Sequence, residues 1–397
     1  MPKTRREPAL IVILGGVCAA LHVGKLAPAI APLQAALGLT LVQAGFLLSL
    51  VQLAGMTAGL AFGVVADGLG PRRSMALGLL VLAAASAAGG AAQGVEALMV
   101  LRALEGFGFL LVVLPAPGLV RALVAPERVS TFIGLWGAYM PLATALALLL
   151  GPLVIAAFGW RAWWWVLALL TAAMVPALLR AVPAAAAAAP PATSSWLVRL
   201  RRTLATPGPW LVAATFAMYS GQWLAVIGFL PTIYTQAGIP QTTTGVLTAL
   251  AAAANMAGNI AAGRLLQRGV APRRLLAIGF VTMALAAAAT FAGTPGLPPA
   301  LRFVAVLLFS GVGGLIPATL FALAVRVAPG ADTLSTTVGW VQQWSALGQF
   351  VGPPLVALVA SAAGGWQATW LATGGCALAG LGLAYLLTRS SGAPASR

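Results

Sequence analysis

One short phrase stands once in each half of this chain, both times where a long apolar run gives way to basic residues. The first copy reads Gly63-Val-Val-Ala-Asp67-Gly-Leu-Gly70-Pro71-Arg72-Arg73. The second reads Gly263-Arg264-Leu-Leu-Gln267-Arg268-Gly269-Val-Ala-Pro272-Arg273-Arg274, with one extra residue ahead of its Pro-Arg-Arg. A repeat at this separation implies two related halves. Further pairs keep the same order: Leu114-Pro115-Ala116 with Ile316-Pro317-Ala318, Ala125-Pro126 with Ala328-Pro329, Gly151-Pro152 with Gly352-Pro353, and Gly159-Trp160 with Gly365-Trp366.

The environment follows from composition. Of 397 residues 61% are hydrophobic and 7% charged, whereas a soluble domain carries roughly a quarter charged residues. Such a chain belongs in lipid, where a helix needs about 20 apolar residues to cross. Twelve runs meet that length. In the first half they are Ala9–Leu33, Leu41–Ala66, Ser74–Ala92, Ala97–Leu123, Ser130–Phe158 and Arg161–Leu179; in the second, Trp210–Tyr234, Thr242–Leu266, Leu275–Ala292, Ala300–Val327, Ser335–Val359 and Trp366–Leu387. The expected fold is an all-α membrane protein with two pseudo-symmetric six-helix bundles. Residues 1–182 and 210–397 would form the bundles, joined by a linker over 183–209.

The net charge of +16 could suggest nucleic acid, but the basic residues fall in alternate loops, as the positive-inside rule requires. Lys3, Arg5, Arg6, Arg72, Arg73, Arg121, Arg128, the Arg199–Arg202 cluster, Arg268, Arg273, Arg326 and Arg389 all land on one side. No nucleic-acid partner is expected, and both termini are expected in the cytoplasm. The linker holds a short amphipathic stretch, Ser195–Leu204, whose Trp196 and arginines suit a membrane surface with anionic headgroups. Lys3, Arg5 and Arg6 ahead of an apolar run imitate a secretory signal, yet eleven further spans follow, so the run is read as the first helix.

Cys18 and Cys376 lie singly in spans, and His22 is the chain's one histidine. No grouping has the spacing of a metal site or hydrolytic triad, so neither a metal, a cofactor nor enzyme activity is expected.

Twelve spans in two similar halves, a basic central linker and the Gly63…Asp67…Gly70-Pro71-Arg72-Arg73 loop after the second helix resemble the major facilitator superfamily of secondary transporters. The superfamily pattern places an arginine directly after the aspartate, where this chain has Gly68; the second copy has Gln267 in place of the acid. Gly134-Leu-Trp-Gly137, Trp160-Arg161-Ala-Trp163-Trp164 and Phe229-Leu-Pro231-Thr-Ile-Tyr234 are most similar to the cyanate and nitroimidazole transporter group. The resemblance implies alternating access around a site near the bilayer midplane, facing the first and fourth helices. It also implies that Gly63, Asp67, Arg72 and Arg73, with Arg268 and Arg273 from the second copy, gate that motion on the cytoplasmic side. A plain topology signal is the competing reading of these arginines.

Charged groups inside spans are functional candidates because lipid penalises them. His22 and Lys25 are three apart in the first helix, and Arg102 and Glu105 three apart in the fourth, so each pair shares a helix face. If Arg102 and Glu105 neutralise each other, Lys25 leaves about one positive charge, which favours a small monoanion or short carboxylate. The bland readings are that Lys25 snorkels to the interface and that Arg102 makes a structural pair. Arg102-Ala-Leu-Glu105-Gly106-Phe-Gly108 resembles the superfamily's fourth-helix signature, which implies proton coupling. Glu105 would carry the proton; His22, as an imidazole titrating near pH 6.5 when unperturbed, is the alternative carrier.

Neutral polar groups at membrane depth complete the candidate substrate set: Tyr139 in the fifth helix, Tyr219 and Gln222 in the seventh, Asn255 in the eighth, and Trp340 and Gln343 in the eleventh. Interhelical hydrogen bonding is the alternative use of each. The expected protein is thus a proton-coupled transporter of a small anion in the inner membrane, with solute, protons and lipids as its partners and a monomer as its working unit. Proton-driven export of amphiphilic or nitro-aromatic compounds is the alternative, weakened because Gly151-Pro152 lacks the two glycines of the exporters' Gly-Pro-x-x-Gly-Gly pattern. A membrane receptor that moves nothing is the remote one.

Overall fold

The computed structural model describes residues 8–57, 59, 70–184, 195–292 and 297–390. Gly63 and Asp67, both expected to act in gating, lie outside the described residues.

Every regular element among the described residues is helical. Ten stretches are long and apolar enough to cross a membrane, and Leu41–Thr57 is a shorter apolar helix. One of the ten, Pro126–Ala181, runs for 56 residues and divides at Gly159, whose φ of 82° and ψ of 166° are not helical. In chain order the helices are therefore α1 Pro8–Leu37, α2 Leu41–Thr57, α3 Pro71–Gly90, α4 Val95–Leu123, α5 126–158 and α6 160–181, followed by α7 Pro207–Gln236, α8 Gln241–Gln267, α9 Pro272–Phe291, α10 Pro299–Val327, α11 Leu334–Ala362 and α12 Trp366–Leu387. Twelve apolar helices were expected, and twelve are present among the described residues.

The boundaries differ in a consistent way. The starts expected at Ser74, Ser130, Trp210, Leu275 and Ala300 lie inside helices that begin earlier, at Pro71, Pro126, Pro207, Pro272 and Pro299. Proline suits the first turn because its missing N–H has no intrahelical partner there in any case. α2 starts differently, by a capping box: Thr40 Oγ1 accepts from the Gln43 backbone N–H at 3.2 Å, and Gln43 Oε1 accepts from the Thr40 N–H at 2.9 Å.

The turns carry the internal repeat into three dimensions. Six described glycines have left-handed φ, and they fall into pairs: Gly38 (68°) after α1 with Gly238 (79°) after α7, Gly70 (78°) before α3 with Gly269 (82°) before α9, and Gly159 (82°) after α5 with Gly364 (68°) after α11. Each pair ends or begins equivalent helices, at a conformation side chains resist.

The chain forms two compact units. The first comprises Met1–Pro190 with Ile227–Ala252, so the end of α7 and the start of α8 group with it. In this unit Gly228 faces the Leu48 side chain, and Gly245 faces the Leu148 carbonyl and the Pro152 ring. α3 and α4 touch through glycine: a Cβ on Gly78 would stand 2.6 Å from the Gly108 carbonyl oxygen, and one on Gly108 would stand 2.8 Å from that of Gly78. Small residues permit such approaches where lipid provides no hydrophobic drive between helices.

The second unit comprises Pro191–Val226 and Ala253–Arg397. There Gly258 of α8 packs onto Gly311 and Gly314 of α10, and Gly221 of α7 onto Gly348 of α11. Gly263, further along α8, faces open space. The linker forms the helix Trp196–Leu204, held by Arg202 to Asp332 at 3.3 Å and by Trp210 Nε1 donating to the Leu204 carbonyl at 2.9 Å.

Candidate functional site

The four ionisable residues predicted in α1 and α4 meet in the first unit. His22, Lys25 and Arg102 are 0% exposed and Glu105 1% exposed, so each must find partners inside the protein.

Lys25 Nζ uses three acceptors. It pairs with Glu105 Oε1, donates to Ser86 Oγ of α3 at 2.9 Å, and lies 3.3 Å from His22 Nδ1. An ammonium has three N–H donors and no acceptor, so this shell suits the protonated form. On the other side of the imidazole, His22 Nε2 lies 2.8 Å from Thr171 Oγ1 of α6.

Arg102 holds the same carboxylate from the other side, Nη1 to Glu105 Oε2 at 2.5 Å. Its Nη1 also donates to the His22 carbonyl at 2.7 Å, and its Nε to the Leu47 carbonyl of α2 at 3.1 Å. Three helices thus meet at one guanidinium. Its Nη2 is buried and has no acceptor, an exception for a buried donor.

One carboxylate between two cations leaves a surplus positive charge. The sequence paired Glu105 with Arg102 alone; the fold divides its two oxygens between Arg102 and Lys25. Reading the sequence missed Ser86, Thr171, Trp163 and Trp164 as neighbours of the charges. Trp163 Nε1 donates to the Lys25 carbonyl at 3.0 Å, and the Lys25 ammonium lies 4.8 Å from the Trp164 ring centroid. A lone hydroxyl such as Ser86 or Thr171 at membrane depth was the available signal.

Tyr139 is not hydrogen-bonded into this cluster; its ring stacks on Trp136 at 4.3 Å. In the second unit, Asn255 Nδ2 donates to Tyr219 Oη at 2.8 Å and to the Ser310 carbonyl at 2.9 Å. Trp223 Nε1 donates to Ser310 Oγ at 3.1 Å, and Asn259 Nδ2 to Asn255 Oδ1 at 3.0 Å. Gln222 Nε2 is taken by the Met218 carbonyl at 2.9 Å, while its buried Oε1 has no donor. Trp340 forms edge contacts with Trp210 (4.8 Å) and Trp344 (6.0 Å), and Gln343 is half-buried on the same helix.

Two of the motif arginines contact a helix of their own unit. Arg72 Nη2 donates to the Leu179 carbonyl of α6 at 2.6 Å. The Arg273 guanidinium lies 5.0 Å from the Tyr385 ring centroid in α12. Arg73 and Arg268 are exposed.

Comparison with known proteins agrees with this architecture. The Major Facilitator Superfamily profile matches residues 12–268 and 211–397. The Tetracenomycin C resistance and export protein of Streptomyces glaucescens is 32% identical over 100 residues, which are 25% of this chain and 19% of that protein. The match therefore spans about a fifth of that relative's length. Two crystal structures of a bacterial homologue of the human lysosomal transporter Spinster, both inward-facing, one unoccupied and one occupied, superpose over all of both chains with TM-scores of 0.81 and 0.80 at 14% and 15% identity. That likeness is one of fold. With a profile matching nearly the whole chain and apolar helices throughout, the chain belongs to the Major Facilitator Superfamily as a multi-pass membrane transporter, not an enzyme.

Proposed function

We propose that this transporter moves a small anionic solute together with a proton by alternating access. The observation that carries the reading is the sharing of the Glu105 carboxylate between Lys25 and Arg102, with Arg102 Nη2 left unpartnered. An anion arriving at the two cations competes with Glu105 for them, and the displaced carboxylate takes up the proton that travels with the solute. His22, between Lys25 and Thr171, is the second proton-accepting group of the chain of hydrogen bonds. Tyr139, Tyr219, Gln222, Asn255, Trp340 and Gln343 supply neutral donors and aromatic surface for the rest of the solute.

In this reading residues 1–182 and 210–397 are the two moving halves, joined by 183–209. The Lys/Arg-rich loops put both termini on the cytoplasmic side of an inner membrane. Gly63, Asp67, Arg72, Arg73, Arg268 and Arg273 gate there, and one chain is the working unit. The motifs at Gly134–Gly137 and Phe229–Tyr234 favour the cyanate and nitroimidazole branch.

The test is flux into proteoliposomes of labelled cyanate, nitrate and formate with an inward proton gradient. Accumulation should follow the gradient, and Glu105→Gln should abolish gradient-driven accumulation while leaving anion exchange measurable. Gradient-driven uptake that survives in Glu105→Gln would sink the coupling role.

A second reading has its own support. The stretch shared with the tetracenomycin C exporter favours proton-driven export of an amphiphilic or nitro-aromatic compound. In that case none of the three anions is accumulated, and tetracenomycin C is taken up by inverted vesicles when the proton gradient is imposed.

A further inference from the structure

Trp164 of α6 reaches the Lys25 ammonium by two routes. Its indole face lies 4.8 Å from Nζ, while its backbone carbonyl accepts from Ser86 Oγ at 2.9 Å, and Ser86 Oγ in turn accepts from Lys25 Nζ at 2.9 Å. The side chain is 0% exposed, and a cation held over an aromatic face in a desolvated site is strongly attracted.

The seat for the indole comes from α3. A Cβ on Gly89 would stand 2.7 Å from Trp164 Cδ1 and 2.9 Å from Nε1, so the ring occupies space that only glycine leaves. The buried Nε1–H has no acceptor, although buried indoles ordinarily find one. The ring lies where it meets the ammonium, the Gly89 gap and the edge of Trp160, 5.4 Å between ring centroids, and not where an indole hydrogen bond would draw it.

We infer that Trp164, seated by Gly89, is a positioning residue for Lys25: it fixes the ammonium against Glu105 and His22, and thereby sets how tightly the cluster holds an anion. This rests on the proposed anion role of Lys25 for its functional half only. The coupling between Trp164 and Lys25 can be measured without any ligand.

The experiment is a double-mutant cycle on thermal unfolding of the purified full chain, using W164L, K25M and the pair, with W164F as the conservative variant. W164L should lower Tm by several degrees in the parent and far less in K25M, and W164F, which keeps a ring face, should retain most of the parent's Tm. G89A, which displaces the indole, should show the same dependence on Lys25, and it replaces W164L if that variant does not fold. Equal losses in both backgrounds would overturn the inference, because packing alone does not depend on Lys25. In a second arm, stabilisation by nitrate, cyanate or formate should need about tenfold more anion in W164L than in the parent, the magnitude of a desolvated cation–π contact. If no anion stabilises the parent, the proposed substrate class fails while the Tm cycle still decides the positioning role.

Discussion

Arg72 and Arg273, the first arginines of the two Pro-Arg-Arg copies, each reach the last helix of their own half at matching positions. Aligned on Gly159-Trp160 and Gly365-Trp366, Leu179 falls opposite Tyr385, and these are the residues that Arg72 and Arg273 contact. One contact is a hydrogen bond to a carbonyl near a helix C-terminus, where a cation complements the dipole. The other is a cation over a ring. The repeated phrase thus pins the third helix of each half to the sixth.

Removing either arginine should loosen its own half. Arg72→Ala and Arg273→Ala should each cost about 0.3–1 kcal/mol, read as a small fall in Tm in detergent. Arg73→Ala, whose side chain is exposed, should leave Tm unchanged. A loss for Arg73→Ala as large as that for Arg72→Ala would refute the tether.

Glu105→Gln should be far more damaging, because it leaves Lys25 and Arg102 buried with no counter-charge. Breaking one partner of a buried ion pair costs about 3–5 kcal/mol. Adding Lys25→Met to Glu105→Gln should recover much of the loss in unfolding temperature. Additive losses in the double variant would show that the two residues do not share the cluster.

Gly108→Ala should cost about 1–3 kcal/mol through overpacking, since the added Cβ would stand 2.8 Å from the Gly78 carbonyl oxygen and 2.9 Å from Leu82. Gly263→Ala meets nothing within 4 Å and sits in a helix, where alanine is preferred by about 1 kcal/mol. Its Tm should hold or rise. Opposite signs for these two substitutions are the expected result.

Tyr219→Phe removes the acceptor for Asn255 Nδ2 but leaves the Ser310 carbonyl in place. Interhelical hydrogen bonds in membranes average about 0.6 kcal/mol, so the loss of stability should be small. A fall in transport of about tenfold or more at unchanged Tm would identify the phenol as a solute contact, whereas parallel small losses would mark it as a helix fastener.

The helices were legible in the sequence because lipid admits few alternatives: a backbone in hydrocarbon must satisfy itself within a long apolar helix. Even so, Pro71, Pro126, Pro207, Pro272 and Pro299 look like loop residues in sequence and are first-turn residues in the fold. His22 with Lys25, and Arg102 with Glu105, were visible as pairs because helical spacing is local. That Lys25 crosses to Glu105 depends on how α1 packs on α4, which no local period encodes. Ser86 and Thr171 were lost among alanines and leucines, and the acceptors at Leu47 and His22 are backbone carbonyls with no sequence signal at all.

The charged cluster has no twin. Aligned on Leu114-Pro115-Ala116 and Ile316-Pro317-Ala318, Arg102 and Glu105 fall opposite Val304 and Leu307; aligned on Gly159-Trp160 and Gly365-Trp366, Thr171 falls opposite Ala377. Two halves alike in their turns are therefore unlike electrically. A surplus charge fixed in hydrocarbon responds to the membrane potential, which acts on an elementary charge with up to about 2.3 kcal/mol per 100 mV. A monoanion alone would cancel that charge, and the proton that Glu105 takes up with it would restore it, so voltage should bias the empty carrier and the fully loaded one alike.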